Sequence, residues 1–462
     1  MHVDLLNTSA GQPISGEGEK FKMQINRRHI LSAFASGVAA SALPRRAAAL
    51  PVSVRDSAKH SLVLPNGLRA HFIQNDSGYV AATLVLRSKE ISHNGLAHIC
   101  EHTSCVGAAG SMTAAEVTRL NKDHVQDGNA STESGMLQWH ASFLPQYLPQ
   151  VMNLLAATSL DQKFDLETVA AQARVVLEEL YLDKYDPDRV AQCKFDRELF
   201  GASHPYVKET LPEEIARCKL APAKLAAELR DFANSVRLPG NMDLFLVGSI
   251  EPDAVAKLVN EHFGRFAAAE GPRLAIPHVA VTRAYRSLTE TSYELQRPMS
   301  DLKLAWNTGV CLDSPDARVL LALSEYLNTA LFDELREKDG DTYTPEVHYE
   351  TDACSGIFNI AISSSKDPHK VEKKVFDVIE KMKTDIDARE LSRLRDRIAL
   401  KRCKDAKKNE ALLEGLVERT LYGAAADDIP VETVTREEMI AAARRYMPSH
   451  RQAYVRLALK GQ

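Results

Sequence analysis

The chain has 462 residues, 45% hydrophobic and 26% charged, with a formal charge of −5, the profile of a soluble globular protein of two or more domains. The acidic balance and the lack of a long basic block exclude nucleic acid as a partner. Seven scattered cysteines with no C-x-x-C pair argue against a disulfide framework and read as small apolar filler.

In chain order, the first fifty residues read as an address. Arg27 and Arg28 precede a mildly apolar run from Ile30 to Leu43, and Ala47-Ala48-Ala49 offer an A-x-A cleavage pattern. The run is shorter than the roughly 20 residues of a membrane span, so the mature chain is expected to have none. Together with Arg45-Arg46, the segment resembles a twin-arginine export signal spanning 1–49, which implies a periplasmic mature protein. Met23, four residues before Arg27, offers an alternative start.

After it, SLVLPNGLRAHFIQ and YVAATLVLRS alternate apolar and polar positions about an Asn-Gly turn, which predicts a β-hairpin. GLAHICEHTSCVG reads as a short helix, GNASTESGMLQWHASF as further strand and LPQYLPQVMNLLAAT as helix. DLETVAAQARVVLEELYLDKY has helical periodicity, stopped by the Asp-Pro-Asp that follows. MDLFLVGSI predicts a buried strand, closing a first domain over 50–266. Residues 267–289 hold two prolines and no strong periodicity, and read as a linker. The second half, 290–462, repeats this alternation with strand SDLKLAWN, long helix DARVLLALSEYLNTALFDELREK, strand GIFNIAIS, then helices to the end. The order of elements predicts an α+β fold of two similar domains, each a mostly antiparallel sheet flanked by helices.

The stretch HICEH carries the chemistry. On a helix His98 and His102, four residues apart, share a face and can turn both imidazoles to one point. Catalytic zinc usually takes three protein ligands and a water. Glu101 stands beside His102 and within reach of that water, in the place of a general base. The pattern is H-x-x-E-H, the inverse of the commoner zincin order. A third ligand must come from elsewhere, and Glu179, 77 residues beyond His102 in VVLEEL, offers one. Its neighbour Glu178 points about 100° away on a helix, so only one of the two can ligate. His124, His140, His204 and His348 have no partner at ligand spacing and read as structural.

NGLAHICEH followed by VVLEEL at this separation resembles the pitrilysin/insulinase family of zinc peptidases, the inverzincins, in their half-size, mitochondrial-processing-peptidase-like form. LPNGLRAHF, GNAST, HPYVKETLPEEI, LPGNMDLFLVGSI and LFDELREKDGDTYTP extend the likeness from about residue 60 to the C-terminus. The resemblance implies one zinc per chain on His98, His102 and Glu179, with Glu101 as base. It implies that Asn129 and Ala130, in GNAST, bind substrate backbone. It implies that Arg336 and Tyr343, seven apart, serve the substrate carbonyls. Gln172 stands where members often carry a further glutamate, and Thr103-Ser104-Cys105 where they carry apolar residues.

Full-length members close a clamshell from four such domains, so a two-domain chain is half of one. The resemblance therefore implies a zinc metalloendopeptidase acting on peptides or unfolded segments in a chamber formed with a second subunit. A homodimer is expected, with a heterodimer of related subunits as the alternative. Two rival readings are a non-catalytic partner subunit of the same fold and a periplasmic zinc-binding protein. The full ligand set opposes the first and the unligated Glu101 opposes the second.

Overall fold

The computed structural model describes residues 59–88, 95–133, 135–202, 207, 212–268, 286–291, 299–312, 314–338, 345–351, 356–423, 430–448 and 454–460. The export segment expected over 1–49 lies outside them. The first half runs β1 (Lys59–Val63), β2 (Arg69–Gln74), β3 (Val80–Arg87), α1 (Leu96–Ser104), α2 (Ala114–His124), β4 (Gln126–Glu133) and β5 (Met136–Phe143). It continues through α3 (Leu148–Leu160), α4 (Leu166–Tyr185), α5 (Pro187–Phe200), α6 (Pro212–Cys218), α7 (Pro222–Val236), β6 (Met242–Gly248) and α8 (Pro252–Phe263). The second half holds β7 (Arg286–Thr291), β8 (Ser300–Asn307), α9 (Pro315–Leu331), β9 (Glu346–Thr351) and β10 (Gly356–Ser364). After these come α10 (Pro368–Met382), α11 (Ala388–Asp405), α12 (Asn409–Tyr422), α13 (Arg436–Tyr446) and β11 (Tyr454–Lys460).

Two sheets result, in the orders β1-β2-β6-β3-β5-β4 and β7-β11-β8-β10-β9. Leaving out β1, the two orders match position for position. Among the described residues each sheet has a single parallel pair, β2 with β6 and β7 with β11, at the same place. The repeat invisible in residue identity is thus a repeat of topology, and the fold is two mixed α/β units of one build.

The hairpin about Asn66-Gly67 joins β1 to β2, with Gly67 at φ +88, a conformation that favours glycine. β3 is not its third strand, because β6 pairs between β2 and β3. Nor does β3 keep an exposed face: all eight residues are buried, since the helices of its own half cover one side and α12 the other. GNASTESGMLQWHASF folds as two strands, β4 and β5, around Gly135 at φ +76. The expected linker is outside the described residues except at 267–268 and at 286–289, where β7 has already begun. The expected all-helical ending is corrected by β11, which fills the second sheet between β7 and β8.

The halves exchange helices. Ala191, Phe195 and Leu199 of α5 pack on Ala305 and Ile357 of the second sheet. Leu413 and Leu416 of α12 pack on Ile73, Ala81, Val85, Met136, Phe245 and Val247 of the first. Buried Asn409, at the start of α12, donates to Ser77 Oγ (2.8 Å) and the Tyr79 carbonyl (3.0 Å) and accepts from Asn75 (2.8 Å).

Candidate metal centre

Gly95, at φ +74, turns the chain into α1. Leu96, Ala97, Ile99, Cys100 and Thr103 fasten the helix to the core, and His98, Glu101 and His102 are left on its half-buried polar stripe. α4 packs against it through the core face Val169, Ala173, Val176 and Leu180. Asp165 fixes the start of α4 by accepting from Thr168 N (2.9 Å), and its other oxygen takes Ala108 N (3.2 Å) from the loop after α1. One step of the α4 helix separates exposed Glu178 from Glu179, which faces both imidazoles.

Glu179 Oε2 lies 3.5 Å from His98 Nε2 and 3.3 Å from His102 Nε2, and the three ligand atoms fall within 4.8 Å of one another. Zinc bonds of about 2.0–2.1 Å in a tetrahedron place neighbouring donors about 3.3 Å apart, so the cluster fits that ion. Charge points the same way. Burial pulls the His98 imidazole down, but hydrogen-bonded Glu179 and the charges of Glu101 and Glu214 outweigh it and raise its pKa. Three carboxylates around these imidazoles leave an excess of negative charge that a divalent cation would balance.

Glu101 stays off the cluster and accepts from Thr132 Oγ1 at 2.7 Å. Burial raises its pKa against the opposing pull of His98, of Thr132 and of His102. Thr132 comes from β4, the edge strand of the first sheet. The register sets Asn129 opposite His140 and Ala130 opposite Trp139, so their side chains leave opposite faces, Ala130 and Thr132 toward α1. The ladder is irregular between Gln126 and Asn129, with Asp127 at φ +55.

The polar residues after His102 serve the helix end. Thr103 Oγ1 donates to the Ile99 carbonyl (2.8 Å), and Ser104 Oγ donates to the Glu101 carbonyl (2.7 Å) while accepting Trp139 Nε1 (2.9 Å). Gln172 is half-buried, two turns before Glu179. His140 bridges Thr83 Oγ1 (3.1 Å) and Ser131 Oγ (3.3 Å), and burial lowers its pKa to about 4. His124 stacks on Tyr147 and His348 lies in β9, whereas His204 is outside the described residues.

The helix expected over 316–338 becomes π-helical from Phe332 to Lys338, a widening common at functional sites. Arg336 lies in that segment with its guanidinium 4.8 Å from the Phe332 ring centroid. Tyr343 lies outside the described residues. Thr132 and Glu214 are functional candidates that sequence reasoning missed. GNAST contained the signal for Thr132, two positions from Ala130 on the same face; Glu214 lies in HPYVKETLPEEI, but no ligand spacing there relates it to His98.

Residues 87–197 match the family model described as insulinase (peptidase family M16), and residues 224–398 match the peptidase M16 inactive domain, together more than half the chain. The chain belongs to the insulinase family. An uncharacterized zinc protease of Mycobacterium tuberculosis (strain H37Rv) is 24% identical over 333 residues, 69% of this chain and 72% of that protein. A protease from Helicobacter pylori shares the fold with a TM-score of 0.76 at 16% identity, over 87% of this chain and 99% of the other. So does a peptidase M16 inactive domain from Pseudomonas fluorescens, with a TM-score of 0.72 at 17% identity, over 87% and 98%.

Proposed function

We propose that this member of the insulinase family is a zinc metalloendopeptidase that hydrolyses peptides or unfolded segments, with His98, His102 and Glu179 as metal ligands and Glu101 as general base. One observation carries the reading: Glu101 shares the polar stripe of α1 but is held by Thr132 instead of joining the cluster. A site that merely stores metal has no use for that carboxylate. Zinc bound there would supply a Lewis acid for the scissile carbonyl and for water. Glu101 takes the proton of the attacking water and returns it to the leaving amine, and Thr132 keeps it aimed. The edge of β4 takes the substrate backbone as an added strand along Asn129 and Ala130. Arg336 and Tyr343 bind substrate carbonyls and the developing oxyanion, supplied by a second subunit that closes the chamber. The expected export would place this activity in the periplasm.

The description of the model matched by residues 224–398 as an inactive domain favours a second reading, a non-catalytic partner subunit. Metal analysis and a peptide-cleavage assay separate the two. The peptidase should carry about one zinc per chain and lose it in His102→Ala. Glu101→Gln should keep the metal and lose turnover by a factor of about 10²–10⁴. A zinc-loaded chain that cleaves nothing would leave the partner-subunit reading standing.

A further inference from the structure

Of the seven large apolar side chains that stand exposed among the described residues, four are on α4. Two of them bracket the candidate ligand: Val175, 40% exposed, lies one turn before Glu179, and Leu182, 71% exposed, just under one turn after it. At about 100° per residue, Val175, Glu179 and Leu182 fall within about 60° of one another. Val169, Ala173, Val176 and Leu180, which hold α4 to the core, centre roughly 120° away. Val175 and Leu182 lie outside the face that holds α4 to the core, where a solvated helix ordinarily carries polar residues.

We propose that Val175 and Leu182 are specificity-determining residues that receive apolar side chains of a bound peptide on the two sides of the scissile bond. The inference rests on the peptidase reading and names its substrate class: segments with apolar residues flanking the cleaved bond. The stripe itself indicates the occupant. A second protein held permanently over Val175 and Leu182 would also cover Glu179 and seal the site, whereas a peptide arrives and leaves. Seven residues of helix span about 10 Å, the length of about three residues of extended chain, so one peptide can touch both.

The test uses the zinc-loaded full chain and two peptides alike except that leucine or glutamine flanks the cleaved bond. Wild type should prefer the leucine peptide in kcat/KM. Leu182→Gln and Val175→Thr should each lower the leucine-to-glutamine ratio about tenfold, with zinc content unchanged. A ratio within twofold of wild type in both variants would overturn the inference while leaving the peptidase reading intact. So would an unchanged ratio with weakened subunit association in sedimentation, which would assign the stripe to a partner copy. A wild type that cleaves neither peptide sinks the peptidase reading and this inference together.

Discussion

Glu178 and Glu179 have the same chemistry and adjacent positions, yet one is exposed and the other sits against two imidazoles. Helical phase alone separates them, so Glu178→Gln should leave zinc affinity unchanged in chelator competition, while Glu179→Gln should weaken it by more than about 100-fold. The stripe His98–Glu101–His102 was legible because a helical period fixes which residues share a face. Thr132 was not, because its bond to Glu101 joins a helix to an edge strand and no local period encodes that contact. Thr132→Val should keep the metal and reduce turnover about tenfold, the usual loss with one hydrogen bond to a charged group. His140 gives a pH test. Its folded pKa, about 4, lies below the ordinary 6.5, so the unfolded chain binds the extra proton between those values. Its contribution is therefore complete above about pH 6.5 and lost as the pH falls toward 4, at most about 3 kcal/mol. His140→Gln should flatten that acid limb in thermal melts taken from pH 7 to 4.

Among the elements, the central strands were readable from their apolar runs, but their neighbours were not. β3 alternates weakly in sequence because both of its faces are covered, one by a helix more than 300 residues away. β7 and β11 are hard to read from the sequence: RSLTET is short and polar-rich, YVRLALK is apolar but only seven residues long, and their pairing partners are distant in the chain. The π-helical turn at Phe332–Lys338 is equally invisible, because its sequence has ordinary helix formers. The exchange of α5 and α12 makes each sheet depend on the other half. Leu416→Ala, which empties a buried position under the first sheet, should cost about 2–3 kcal/mol, and Phe195→Ala about 3 kcal/mol from the other side. The chain has two tryptophans, Trp139 in the first core and Trp306 in the second, so Trp139→Phe and Trp306→Phe leave one reporter in each half. Both reporters should follow one urea transition, and each core variant should move both midpoints together. Separate transitions would mean that the exchanged helices do not couple the halves.

At the scale of the whole molecule, the chain carries the His/Glu cluster in its first half and Arg336 and Tyr343 in its second. A heterodimer with a specialised partner would need only one of these features per chain; their joint presence is the reason to propose a homodimer. A two-fold axis would set the cluster of one subunit against the Arg336 and Tyr343 of its partner and produce two equivalent sites. Mixing two inactive proteins tests this directly. Glu101→Gln removes the proposed base, and Arg336→Ala/Tyr343→Phe removes the proposed carbonyl-binding pair. In a mixed dimer one site combines the intact cluster with the intact pair, and the other combines both lesions. Random exchange makes about half the dimers mixed, each with one working site of two, so activity should return to about a quarter of wild type. Subunit exchange is followed independently, by energy transfer between two dye-labelled populations. If exchange is complete and no activity returns, each site is built within one chain or needs a different partner, and the shared-site homodimer is wrong.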